Sequence, residues 1–325
     1  MSALPSAPNS LSINQIAQEF GGDTPHAISE YYAGGSIVPA GTQGEGGGIA
    51  SSGSISIGDF FGSRQRVTIN LTISSNTQNY QISQQRGGTY EAGFTDIVLT
   101  NNAQVGSTAV GTAGIYTGTA PNYASGDTVK IINAGHIRGR GGNGGAGMAN
   151  NGTGVAAGQI AGDAIETTFP LTVVNNSGAK LLGGGGGGGG AGRGSTVQPG
   201  QPGNPPTQSG GKSQGQQPGQ PSNPPATQFF GGGGGGGGAG NQVGSGGAGG
   251  SSQGQAGQAG GADSGGSGGS ATGQTNPDGG AGGAVGAAGG AGQQGGAAGA
   301  AGHAIESNSN QITLQNSGQT AGATS

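Results

Sequence analysis

Apolar and polar residues alternate along Val67-Thr68-Ile69-Asn70-Leu71-Thr72-Ile73, and shorter stretches do the same at Tyr80-Gln81-Ile82 and Val129-Lys130-Ile131. A period of two puts one side of a chain in a core and the other in water, so each stretch reads as a β-strand. Asp96 to Thr100 predicts a further strand, closed by the turn pair Asn101-Asn102. Roughly six short strands with turn residues between them predict a small antiparallel β-sandwich over residues 64–134. The competing reading of the same pattern is a β-solenoid turn in a trimeric fibre. Ahead of the strands the period changes. Ser12-Ile13-Asn14-Gln15 is a capping-box pattern, and Ile13, Ile16, Ala17 and Phe20 share one helical face before Gly21-Gly22 stop it. A second short helix is expected from Ser29, and Ser56 to Phe61 forms a third apolar patch. So short a segment is expected to bury its aromatics against a partner, which makes residues 1–63 a docking segment with Phe20, Tyr31, Tyr32, Phe60 and Phe61 as its contact candidates.

Beyond residue 134 the apolar pattern gives way to a period of three. Gly280, Gly283, Gly286, Gly289, Gly292 and Gly295 keep one register, and Gly296, Gly299 and Gly302 continue it one residue later. Gly139, Gly142 and Gly145, then Gly244, Gly247 and Gly250, then Gly254, Gly257 and Gly260 repeat it. Three residues per turn belongs to the left-handed extended helix, which makes no internal hydrogen bonds and must find partners in water or in neighbouring helices. Glycine-rich linkers are ordinarily disordered, but a linker has no reason to keep phase. Collagen shares the period, yet these runs are short, interrupted and poor in proline. The expectation for residues 135–325 is therefore a bundle of polyglycine II-type helices, in a chain that is otherwise mainly β and irregular.

A repeat ties the two regions together. Val129-Lys130-Ile131-Ile132-Asn133-Ala134-Gly135 recurs as Leu171 to Gly178 and as Ile312 to Gly318, the last two preceded by Ala161-Gly162-Asp163-Ala164-Ile165-Glu166 and Ala301-Gly302-His303-Ala304-Ile305-Glu306. Each unit reads as a strand plus an asparagine-containing turn that aligns the glycine bundle. Two eight-glycine runs, Gly183 to Gly190 and Gly231 to Gly238, each follow a large apolar pair, Leu181-Leu182 or Phe229-Phe230. They bracket a proline-rich insert, 195–228, with an internal duplication that places Asn204-Pro205-Pro206 parallel to Asn223-Pro224-Pro225. Proline lacks the donor a bundle needs, so the insert is expected to leave it as an exposed loop.

Composition narrows the function classes. Of 325 residues, 85 are glycine and 7% are charged, which excludes a single ordinary core over this length. The absence of cysteine and of a signal-like start predicts assembly in a host cytoplasm without disulfides. No apolar run predicts membrane insertion, and a net charge of −4 argues against a nucleic-acid footprint.

The run from Ile13 to Phe61, reading INQIAQEFGGDTPHAISEYYAGG, IVPAGTQG and SSGSISIGDFFG, resembles a segment of bacteriophage tail and tail-fibre proteins. It departs from that pattern at Ala33, where a basic residue is usual, and at Ala50, where proline is. HIRGRGGNGGAG from His136 and the glycine run after Leu181-Leu182 resemble tail-fibre tip adhesins, including the detachable ones of T-even-type phages. That resemblance implies a stacked polyglycine scaffold with variable loops at its end that meet a host receptor, protein or glycan. It also implies that residues 1–63 bind other phage tail proteins.

Catalytic constellations are weak. Asp163 and Glu166 are a possible carboxylate pair, but the equivalent repeat carries His303 in the first position, so a polar turn explains them better. Gly210-Gly211-Lys212-Ser213 lacks the upstream glycine and strand of a phosphate loop, and His26, His136 and His303 lack metal-site spacing. No cofactor, metal or catalytic residue is expected. The leading expectation is a virion adhesin, with Asn204, Pro205, Pro206, Asn223, Pro224, Pro225, Phe229 and Phe230 as receptor-contact candidates. The alternative is a purely structural tail component.

Overall fold

The repeat units of the sequence are successive coils of one stack. In the computed structural model Leu171–Asn175 lies between Thr128–Asn133 and Ile312–Asn316, parallel to both, with Val129, Leu171 and Ile312 in register. Val67–Ile73 and Thr95–Asn101 extend the same sheet on the other side, again parallel. The structure describes residues 3–119, 122–149, 151, 153–198, 226–230, 233, 235–250, 254–271 and 277–325.

A second face stacks Thr77–Gln78, Gln104–Gly106, His136–Arg138, Lys180–Leu182 and Gln319–Ala321, and a third stacks Tyr80–Gln81, Ile115–Tyr116, Ile165–Glu166 and Ile305–Glu306. All the pairings within these faces are parallel. Each coil visits the three faces in the same order, so the chain winds as a three-sided parallel solenoid. The antiparallel sandwich expected for residues 64–134 is thereby corrected. The strands at Val67–Ile73, Thr95–Asn101 and Thr128–Asn133 fall where the sequence placed them, while Tyr80–Gln81 gives way to a helical turn at Ile82–Gln85. Each strand pairs with its counterpart one coil away rather than with its neighbour in sequence. Antiparallel ladders among the described residues are confined to Gln43–Gly44 with Gly47–Gly48 and to Gly194–Gln198 with Ala226–Phe230.

The solenoid interior is apolar and layered. Ile97, Leu99, Ile115, Ile131, Ile137, Ile165, Val173 and Leu181 are fully buried in one cluster. At the corner between the first two faces the inward position is asparagine. Asn101 donates to Asn133, Asn133 to Asn175 and Asn175 to Asn316, each side-chain bond 2.8 Å long. Asn133 and Asn175 also donate to the carbonyls of Lys180 and Gln319, so the turn into the second face is tied to the ladder.

Residues 3–63 form their own small core. Ser12 caps Ile13–Phe20 with both capping-box bonds present, and Gly21 ends the helix at φ 91°. Ile28–Tyr31 and Ile57–Phe60 are single 3-10 turns. Ile16, Phe20, Tyr31, Val38 and Phe60 bury together with Leu4 and Ile49. Phe60 meets Phe20 and Tyr31 edge-on at ring separations of 6.0 and 6.3 Å. The expectation that this segment cannot bury its own aromatics is corrected for Phe20, Tyr31 and Phe60.

The glycine region is an insertion at one corner. Between the second and third faces the first coil spends one residue, Asn79, and the second spends residues 107–114. The third coil spends residues 139–164 and the fourth 183–304. These last two insertions run up and down as ten rods among the described residues, at about 139–149, 155–162, 183–193, 233–241, 242–250, 254–261, 264–271, 277–285, 287–292 and 295–304, joined laterally by backbone hydrogen bonds.

Candidate host-contact surface

Hydrogen bonds between rods recur every third residue, which fixes what each rod must be made of. The amides of Gly184, Gly187 and Gly190 donate to Gly162, Gln159 and Ala156; those of Gly185, Gly188 and Ala191 to Ala239, Gly236 and Gly233; those of Gly186, Gly189 and Gly192 to Ala287, Gly290 and Gln293. Three further rods donate into the same segment: Gly142 to Gly185, Gly283 to Gly186 and Gly299 to Gly187. The rod 183–192 is therefore bonded to six neighbours, and each neighbour is bonded to the next around it. The rod 233–241 has six neighbours as well: it shares bonds with 139–149, 183–193, 242–250, 254–261, 264–271 and 277–285.

From Gly183 to Gly190 the six neighbours leave no room for a side chain at any phase. A Cβ on Gly186, Gly187 or Gly188 would sit 2.0, 1.9 and 1.9 Å from the carbonyl oxygens of Gly299, Asn143 and Gly280, on three different rods. Gly183 to Gly190 lies in one fully surrounded rod and Gly235 to Gly238 in the other; the alanine that follows each, Ala191 or Ala239, is fully buried. Rods at the rim require glycine only in the phases that face inward. In 295–304 a Cβ on Gly296, Gly299 or Gly302 would lie within 2.1 Å of a carbonyl oxygen, whereas Ala297 and Ala300 are exposed.

The far end of this lattice is opposite the solenoid. Rods leave the second face at Gly139 and Gly183 and return to the third face after Gly162 and Gly302. Turns at that near end are tight, with Ala287 bonded to Ala284 and Gly261 to Ser264. Arg138 joins the two parts there, 2.7 Å from Asp263, and holds the Asp263 carboxyl below the usual range. At the far end Met148 donates to Ala191, Gln255 to Ser270 and Gly192 to Gln293. The insert 195–228 connects the two surrounded rods at this end.

Its stems pair as a ladder that sets Gly194 opposite Phe230 and Ser195 opposite Phe229. Phe229 and Phe230 thus lie on a strand at the far end, while Leu181 and Leu182 are buried in the solenoid at the near end. The sequence likeness of the two pairs does not carry over to equivalent places. Asn204, Pro205, Pro206, Asn223, Pro224 and Pro225 lie outside the described residues. Of the docking candidates, Phe20, Tyr31 and Phe60 are core residues, and Tyr32 and Phe61 keep partial exposure. The Tyr32 hydroxyl donates to the Gly53 carbonyl.

Asp163 and Glu166 do not face each other across a cleft. Asp163 Oδ1 accepts from the backbone N–H of His303 at 2.6 Å and lies 3.1 Å from its Nδ1, fastening the returning rod to the third face. His303 Nδ1 is also 3.0 Å from Glu306. Burial pushes both the Asp163 and the Glu166 carboxyls up. No helix among the described residues is long and apolar enough to cross a membrane, and they hold no three-residue His, Cys, Asp and Glu cluster fit for a metal ion.

With this geometry in place, comparison with known proteins is informative. Residues 68–228 match the family Phage tail fibre adhesin Gp38. The Gp38 match begins within the first strand of the solenoid, includes four of the five first-face strands, and ends inside the second stem of the insert. A chain in the crystal structure of the gp37-gp38 adhesin tip complex of the bacteriophage S16 long tail fiber is 20% identical, covering 97% of this chain and 93% of that chain, with a TM-score of 0.46. No curated protein matches the chain.

Proposed function

We propose that this chain is a phage tail-fibre adhesin that sits on the virion tail and meets a bacterial surface receptor with the far end of its glycine lattice. The Gp38 match supports the adhesin class. The observation that carries the receptor assignment is the position of the paired stems Gly194–Gln198 and Ala226–Phe230, which lie at the end of the surrounded rods away from the solenoid. We read the rods as polyglycine II helices, because three-residue spacing with lateral bonding in several directions is what that helix requires. A scaffold without side chains recognises nothing by itself, so contact falls to the connecting loops, with Asn204, Pro205, Pro206, Asn223, Pro224, Pro225, Phe229 and Phe230 as its candidates. Proline pairs reduce the freedom lost when a loop is held against a partner.

Residues 1–63 are the attachment unit to other tail proteins. Because Phe20, Tyr31 and Phe60 are internal, its contact surface is drawn from partly exposed groups such as Tyr32 and Phe61. Replacing residues 195–228 by a short Gly-Ser bridge should abolish adsorption to the host while leaving the purified protein folded. Unchanged adsorption and host range would move recognition elsewhere or leave a purely structural tail component.

A further inference from the structure

The outer row of the third face forms a second candidate site, away from the lattice tip. Its inward residues, Ile115, Ile165 and Ile305, belong to the core, so the alternate positions point outward. Register sets Gln81, Tyr116, Glu166 and Glu306 side by side along the stack, at the roughly 4.8 Å spacing of adjacent strands. An amide, a phenol ring and a carboxylate therefore follow one another in a line on rigid backbone.

The insertion of the second coil walls this row. Gln81, Tyr116 and Glu166 line a groove of about 490 Å³ together with Asn79, Gly111 and Thr112. Asn79 fastens the wall to the floor: its Nδ2 donates to Thr108 Oγ1 at 2.6 Å, and the Thr108 amide donates to its Oδ1 at 3.0 Å. Gly111, at the turn of this wall, takes φ 67°. Glu166 is half-buried, accepts only a long 3.4 Å bond from Asn308, and has Asp163 and Glu306 rather than a cation as its charged neighbours. Its carboxylate keeps acceptor capacity for an incoming donor.

We propose that this groove binds a hexose ring of a host-surface glycan, stacked on Tyr116, with its hydroxyls donating to Glu166 and exchanging hydrogen bonds with Gln81. A pyranose offers an apolar C–H face and a rim of hydroxyl donors, which matches an aromatic surface bordered by a carboxylate and an amide. The inference rests on the adhesin reading only for the source of the sugar.

The test is saturation-transfer NMR on the full chain with D-glucose, D-galactose, D-mannose and N-acetyl-D-glucosamine at millimolar concentration. At least one should bind, and Tyr116→Ala and Glu166→Gln should each weaken it about tenfold or more, as loss of a charge-assisted bond implies. Thr112 is exposed, so Thr112→Tyr should block the groove without disturbing the fold and covers the case in which Tyr116→Ala does not fold. The insert swap should leave the sugar signal intact, which separates this site from the tip. Absence of binding by all four sugars, binding unaltered in the folded variants, or saturation by ethanolamine alone would overturn it.

Discussion

A single methyl group in a surrounded rod provides a sharp test of why glycine occupies every position from Gly183 to Gly190. In Gly187→Ala the new Cβ would stand 1.9 Å from the Asn143 carbonyl oxygen and 3.1 Å from the Gln159 amide nitrogen. Ordinary contact begins near 3.4 Å, so the neighbouring rod must retreat by more than an ångström. That retreat strains or breaks the bonds Gly187 to Gln159 (2.9 Å), Gly299 to Gly187 (2.8 Å) and Gln159 to Asn143 (2.8 Å). At about 1 kcal/mol net per bond the loss is about 3 kcal/mol, more where a buried group is left unpaired. Stiffening of the unfolded chain returns only about 0.4–1 kcal/mol. A net loss of about 2–4 kcal/mol should lower the unfolding temperature of the lattice by roughly 5–15 °C and speed amide exchange in the contacting rods by about a hundredfold. The matched control is Gly290→Ala, the same chemical change on an exposed rim position where Cβ meets nothing nearer than 3.3 Å. It should shift unfolding by no more than about 1–2 °C. Calorimetry and hydrogen-exchange mass spectrometry read both quantities. Equal shifts for the two substitutions, or exchange in 183–192 as fast as in an unstructured peptide, would refute the packing argument.

Two further outcomes follow from the solenoid. Asn133→Ala removes two rungs of the asparagine ladder and the bond to Lys180, and should cost about 2–4 kcal/mol, read as a lower urea midpoint with the slope unchanged. Burial raises the Asp163 carboxyl against the hydrogen bonds from His303, so the folded chain holds that proton more tightly than the unfolded chain. The stability this contributes is complete below the unfolded-chain value of about 3.9 and is lost as pH rises through the folded-state value; Asp163→Asn should therefore flatten the decline in unfolding temperature as pH rises above about 4, and an unchanged slope would remove Asp163 from the junction's pH response.

Much of this architecture was legible in the chain, though not its direction. Alternation at Val67 to Ile73 located a strand, because one buried face leaves a period of two whatever the pairing, and the apolar run Ile97 to Leu99 before Asn101-Asn102 located another. Pairing itself left no local mark: the insertions at one corner stretch the interval between equivalent strands at each coil, which hides a solenoid behind what look like ordinary turns. The recurring asparagines at 133, 175 and 316 were visible as turn residues. That they point inward and bond to one another became apparent only with the stacking. Glycine period revealed rods, but the contrast between continuous and every-third glycine reports how many neighbours a rod has, a quantity set by tertiary packing. The N-terminal aromatics were misjudged because edge-on packing of Phe20, Tyr31 and Phe60 with Leu4 and Ile49 lets a few large rings close a small core.

The corner insertion also governs how such a protein can change. Rods come in up-and-down pairs that depart from and return to the same edge of the solenoid, so a rim pair can be gained or lost without altering the coil that bears it. Loops at the far end close between rods already held at fixed spacing. Doubling the length of such a loop costs only about 0.6 kcal/mol in closure entropy. The loops at the far end are thus uncoupled from the part that must fold, and substitutions there leave the hydrogen-bonded frame unchanged.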